Sequence, residues 1–225
     1  MLSDGDRIAV GVSGGKDSLV LLDGLILLRN FIGIDYELIA VTVDPRFNGV
    51  DGDYSQVARF CSEKGVRYVL EPSHIGSIVF DVRKEDHPCS LCARMRRGAL
   101  HNIARREGCN KLALGHHLDD AVETFLMNLF VVGRIGCFSP VSEPKTDSVG
   151  LIRPLALARE WEISAAARRN GLEAVRSRCP ADGHTMRQEI KKFIAEREKL
   201  DRGFTDRVFG AMRRAGIDGW GTDEE

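Results

Sequence analysis

The sequence predicts an α/β fold, a doubly wound parallel sheet followed by a small helical C-terminal part. Three observations predict it. Short apolar runs alternate with stretches of helical spacing through the first two thirds of the chain, the pattern of a parallel sheet covered on both faces. The runs stop at Gly or Pro, as strand ends do. After Pro154 the strand signal fades and helical spacing remains.

Residues 7–12 (RIAVGV) read as a buried strand, and 19–29 as the helix after it. Residues 37–43 (ELIAVTV) are a second strand ending at Asp44-Pro45. Spacing over 53–64 is helical and stops at Gly65, and 66–70 form a third strand before Pro72. Residues 111–114 are a fourth strand closed by Gly115, and 118–130 an amphipathic helix. Residues 151–153 are a fifth strand capped by Pro154. Helices are expected over 159–169, 186–200 and 205–215, with a frayed acidic tail at 219–225. A boundary near residue 155 divides the chain into 1–155, carrying the sheet, and 156–225, the helical region.

With 225 residues the chain has room for one or two domains. Its 32 Lys+Arg against 33 Asp+Glu leave a net charge of -1. That excludes a polycation that coats nucleic acid and leaves room for a local basic patch. No apolar run approaches the ~20 residues of a membrane span; the longest, 19–28, is broken by Asp23 and Gly24. The opening MLSDGD has neither a basic nor an apolar leader segment, so a cytoplasmic chain with no membrane partner is expected.

Ser13-Gly14-Gly15-Lys16-Asp17-Ser18 lies between a strand and a helix. Two glycines allow a tight turn and close approach of a ligand. The helix start adds amides and a positive dipole end, the two serines add hydroxyls, and Lys16 adds charge. The result is an anion nest suited to phosphate, without the spacing of a Walker A loop. SGGKDS resembles the signature of the PP-loop ATP pyrophosphatases. The resemblance implies a Rossmann-like sheet binding ATP at the strand ends, cleavage to AMP and pyrophosphate, and adenylation of a carbonyl oxygen.

Gly115-His116-His117-Leu118-Asp119-Asp120 follows the fourth strand. Asp119 and Asp120 open a helix, where they either cap it or hold Mg²⁺ beside a triphosphate. Adjacent histidines do not share a helix face, so a two-His zinc site is a poor fit. GHHLDD resembles the second PP-loop motif, and Glu123 and Thr124 continue it. Asp44 holds another strand-end position facing the expected nucleotide.

Six cysteines do not make a secreted disulfide scaffold in a chain of this length. Cys61, Cys109 and Cys137 look ordinary by context. Cys89 and Cys92 open a helix one turn apart, where the helix start should lower their pKa. The pair alone suits a redox couple or half a zinc site. With Cys179 as a third thiolate, one iron of a 4Fe-4S cluster would stay open for sulfide. CSLCARMRRG, then KLALGHHLDDAVETFLMNLF, then IRPL, closely resemble the tRNA 2-thiocytidine synthetase (TtcA) family. The resemblance covers roughly residues 6–195. It implies a 4Fe-4S cluster on Cys89, Cys92 and Cys179, and ATP-dependent thiolation of C2 of cytidine at the first position of the anticodon loop. Typical bacterial members carry a Cys-x-x-Cys where this chain has Cys179 alone.

The implied site follows. ATP and Mg²⁺ would meet Ser13, Gly14, Gly15, Lys16, Asp17, Ser18, Asp44, Gly115, His116, Asp119 and Asp120. Lys16 would act on the pyrophosphate, Asp44 and Asp119 beside it, and the three cysteines on sulfur. Arg94, Arg96, Arg97, Arg105, Arg106, Arg168, Arg169, Arg176 and Arg178 are expected to converge around the thiols and hold tRNA phosphates. The expected partners are tRNA and a sulfur donor, either sulfide or a cysteine desulfurase; a homodimer is compatible. Uridine thiolation, a lysidine-type ligase, small-molecule sulfur transfer and a non-catalytic iron–sulfur RNA-binding module are the rival readings.

Overall fold

Strands β1 (Asp6–Gly11), β2 (Tyr36–Asp44), β3 (Arg67–Pro72), β4 (Lys111–Ala113), β5 (Val141–Ser142) and β6 (Gly150–Ile152) form one sheet in the order β3-β2-β1-β4-β6-β5. This is a computed structural model; it describes residues 1–84, 88–143, 149–175, 178–183 and 185–221. Every neighbouring pair is parallel except β5 with β6. Alternate side chains of β1 go to opposite faces. Ile8 and Val10 join Leu22, Leu38 and Val57 on one side, while Ala9 joins Ile39, Val41, Ile103 and Leu112 on the other. Burial on both faces is why these strands read as continuous apolar runs.

The helices are α1 (Lys16–Leu28), α2 (Ser55–Glu63), α3 (Ile75–Ser77), α4 (Pro88–Arg106), α5 (Leu118–Met127), α6 (Glu160–Arg169), α7 (Met186–Leu200) and α8 (Phe204–Arg214). α6 packs on α1, and α7 and α8 pack on α5. Val122, Leu126, Ile190, Phe209, Met212 and Trp220 make this third core cluster. Thr185 and Gln188 cap α7 reciprocally, so it starts where the spacing predicts. Among the described residues no helix is long and apolar enough to cross a membrane.

The five predicted strands are present. β5 is not visible in the sequence because it has two residues and is antiparallel to the edge of β6. The helix expected over 118–130 ends at Met127 and widens into a π turn, Asn128–Val132, closed by Gly133 at φ +69°. α3 also widens, into a π turn over Ile78–Arg83, in a stretch with no predicted element. The chain runs outward from β1 through β2 and β3 on one side, and through β4 and β6 on the other. The crevice beyond the carboxyl ends of β1 and β4 is therefore the switch point where such sheets bind ligands.

Candidate nucleotide and thiol site

At that crevice Gly14 turns at φ +83°, and a Cβ there would stand 2.9 Å from the Val175 side chain. Its carbonyl accepts the Val175 amide at 2.8 Å. The Ser18 hydroxyl donates to the Gly15 carbonyl at 2.8 Å and accepts the Ser13 amide at 3.2 Å, which closes the loop on itself. Gly15 is the N-cap of α1 and supplies no side-chain acceptor to it, which leaves the start of α1 suited to an anion. Gly115, two residues past β4, runs so close to α1 that a Cβ would lie 3.0 Å from the Asp17 carbonyl oxygen. Backbone against backbone, the second motif is brought to the first. Between them is a cavity of about 280 Å³, lined by Ser13, Gly15, Asp17 and Ser18, by Gly115, His116 and Asp120, and by Arg96 and Arg97 of α4.

The polar groups of this wall are fixed by neighbours far away in sequence. His116 lies 5.0 Å from the Phe138 ring and accepts Arg153 Nε at 3.4 Å. Burial, aided by the Arg153 charge, lowers the His116 pKa to about 4, so its ring is neutral at pH 7. Arg153 is itself buried, 4.6 Å over Phe138, and donates to the Ser139 carbonyl. Burial brings its pKa down to about 10. Asp120 accepts the His117 amide at 3.1 Å and so caps α5. Arg187 of α7 reaches Asp120 at 3.2 Å, Glu123 at 3.1 Å and Thr124 Oγ1 at 3.1 Å. Glu123 is 4 % exposed, and burial holds its pKa above the usual carboxylate range despite Arg187.

A second cavity, of about 360 Å³, adjoins the first. Cys89, Cys92 and Cys179 all line it, with Asp44, Tyr54, Phe80 and Arg178. Pro88 opens α4, as Pro does at the first helical position, and the two following cysteines stack on successive turns of its start. Cys179 arrives on the loop that Val175 fastens to Gly14. Ser13, Gly15, Ala93 and Arg96 line both cavities, so among the described residues no packed core separates thiols from nucleotide loop.

A PP-loop domain family model matches residues 3–198. The tRNA-cytidine(32) 2-sulfurtransferase of Geobacter sulfurreducens is 43% identical over 88% of this chain and 78% of its own length. The chain belongs to this PP-loop family. The tRNA-cytidine(32) 2-sulfurtransferase of Syntrophotalea carbinolica is 42% identical over 87% of this chain and 76% of its own. Among solved structures, the U34-tRNA thiolase NcsA from Methanococcus maripaludis with its 4Fe-4S cluster superimposes with a TM-score of 0.78. It is 28% identical, over 95% of this chain and 72% of that one.

The donor set in the second cavity fits such a cluster. Three soft thiols converge on one space, the chemistry iron–sulfur centres select. Among the described residues no three His, Cys, Asp or Glu side chains are drawn closely enough to hold a single ion.

Several expected site residues stand elsewhere than predicted. Asp119 does not line the nucleotide cavity; its carboxylate accepts the Glu160 amide at 2.7 Å and Arg159 at 3.3 Å, at the start of α6. Lys16 also turns aside, to Asp17 at 2.8 Å and Glu160 at 3.2 Å. Burial works against its charge, but those two carboxylates outweigh it and raise its pKa. Asp44 lines the thiol cavity and organises the next loop, accepting the Arg46 amide at 3.1 Å and the Gly52 amide at 2.8 Å. The Cys89 and Cys92 pKa values are raised, contrary to the helix-start expectation. Burial pushes both up, and the Cys179 sulfur adds to it, against the opposing charges of Arg187 and Arg96.

The basic cluster also divides. Arg96, half-buried, and Arg97, still exposed, both line the nucleotide cavity, and Arg178 joins the thiol wall. Arg105 and Arg106 lie at the far end of α4, roughly 20 Å from Cys92 at 1.5 Å per residue. Arg106 pairs there with Glu71 at 2.8 Å. They do not converge on the thiols. Arg176 lies outside the described residues. Sequence reasoning missed Arg153, Glu160, Arg187 and Lys191 as site neighbours; IRPL was the one signal that touched any of them.

Proposed function

We propose that this chain thiolates C2 of cytidine 32 in tRNA, using ATP to activate the carbonyl oxygen. The shared wall of the two cavities carries the proposal, because activation and sulfur delivery must reach one carbon. ATP phosphates rest on the Ser13–Ser18 loop, with Lys16 at the pyrophosphate end. Asp120, the second-motif carboxylate on the nucleotide wall, would hold Mg²⁺ to neutralise phosphate charge. His116, neutral at pH 7, can donate a hydrogen bond to a phosphate oxygen while Arg153 behind it supplies positive potential.

The cytidine O2 attacks the α-phosphorus; the O–P bond forms, the bond to the β-phosphate bridge breaks, and pyrophosphate leaves. Arg96, in the wall common to both cavities, neutralises charge on the adenylate phosphate and guides an anionic sulfur species to C2. The C–S bond forms, the C–O bond breaks, and AMP departs with the original oxygen. Cys89, Cys92 and Cys179 would bind a 4Fe-4S cluster, which supplies an iron with an open position for sulfide. Sulfide feeds the sulfur in the cytoplasm, either free or released by a thiol reductant from the persulfide of a cysteine desulfurase; the helical region from residue 156 brings the third cysteine, and a homodimer is compatible.

Nucleoside mass spectrometry of tRNA from cells with and without the chain tests this. Loss of 2-thiocytidine alone is the expected result. Loss of a thiouridine with 2-thiocytidine retained would overturn the cytidine assignment.

A further inference from the structure

Glu160 sits between two lysines. Its carboxylate is 3.2 Å from Lys16 Nζ in the glycine loop and 2.7 Å from Lys191 Nζ on α7. No motif points to Lys191, and its side chain is 50% exposed. Both neighbours of the pair are anchored. The Glu160 amide is held by Asp119 at 2.7 Å, so only its side chain can turn. Arg187 precedes Lys191 by one helical turn, on the same face, and is fixed on Asp120, Glu123 and Thr124. Lys191 is therefore delivered to this spot by a helix locked onto the second motif.

We propose that Lys191 is the second cation of the pyrophosphate site, and that Glu160 stands in for pyrophosphate when no nucleotide is bound. The inference rests on the ATP-cleaving reading above and adds to it residues at the leaving-group end. A carboxylate with one charge holds two ammoniums here. The β and γ phosphates bring more charge and more acceptor oxygens to the same reach, so they take both lysines from Glu160. Asp17 stays on Lys16 at 2.8 Å, which keeps the loop lysine aimed during the exchange. After cleavage Glu160 recloses on Lys16 and Lys191 and helps expel pyrophosphate.

The test is calorimetric titration of the purified full chain with inorganic pyrophosphate, beside steady-state AMP formation from ATP with tRNA. Lys191→Met should weaken pyrophosphate binding roughly ten- to hundredfold, the loss of one charge-assisted hydrogen bond. Lys191→Arg should restore it. Glu160→Gln should tighten pyrophosphate binding and make it a stronger product inhibitor. Wild-type affinity in both Lys191→Met and Glu160→Gln would overturn the proposal while AMP formation left the ATP reading intact. A wild-type chain that forms no AMP would overturn both.

Discussion

The two cavities are built differently. The nucleotide cavity is founded on the glycine loop and the ends of β1, β2 and β4, held by close approaches such as Gly115 to Asp17, with α4 closing one side. The thiol cavity is assembled from the start of α4, the loop after β2, Phe80 of the π turn and the segment carrying Cys179, and it meets the glycine loop only at Ser13 and Gly15. A site made of backbone has its donors in place before a ligand arrives. A site assembled from several separate segments, with the Cys89 and Cys92 pKa values raised, gains its charged form there only when a metal displaces the protons. The first is preorganised, and the second is completed by what it binds.

Four experiments press on that contrast. The largest effect belongs to Cys89→Ala and Cys92→Ala. Each should lower thiolation by roughly a thousandfold or more, as loss of one member of a unit does, while calorimetric ATP affinity stays at the wild-type value. Equal loss of ATP affinity would show the two sites to be one. Next comes Gly115→Ala, whose new methyl would meet the Asp17 carbonyl at 3.0 Å. Overpacking of about 1–3 kcal/mol is expected, with ATP binding weakened roughly tenfold and thiol alkylation rates unchanged.

The third is a pH experiment with opposite signs at the nucleotide wall and in the core. The folded His116 pKa, about 4, lies below its ordinary 6.5. The unfolded chain takes up that proton first, so its contribution is intact above pH 6.5 and is lost as pH falls toward 4. The core thiols Cys61 and Cys109 are raised from 9.0 to about 11 by burial. Their contribution is intact below pH 9 and is lost as pH rises toward 11. Melting temperatures should therefore decline on both flanks. Iodoacetamide should label Cys89 and Cys92 slowly at pH 7, with a rate rising about tenfold per pH unit to beyond pH 9. Fast labelling at pH 7 would remove the proton from the contrast. The smallest effect is that of Arg106→Ala: its exposed pair with Glu71 contributes little, so melting temperature and thiolation rate should not change.

Strands β1, β2 and β4 were legible because burial on both faces writes a continuous apolar run. SGGKDS and GHHLDD were legible because tight turns and phosphate contacts restrict residue type at fixed spacing. The cysteine pair was visible on one helix turn. Glu160 and Lys191 carry no such signature: the Lys16–Glu160 bond spans 144 residues, and neither partner has a spacing rule. Arg96 was legible as a charge but not as a wall, since which face of α4 turns inward is set by packing against Ile39, Val41 and Leu112. The thiol pKa shift was misread because a helix start is local and visible, whereas burial and a neighbouring sulfur from the far end of the chain are not.

The fastening of Val175 to Gly14 links the two chambers mechanically. Whatever displaces Gly14 also pulls on the tether of Cys179, and by reciprocity the strain runs equally in the other direction. A methyl group placed at Gly14 would therefore register twice, once as poorer nucleotide retention and once as a third sulfur out of reach.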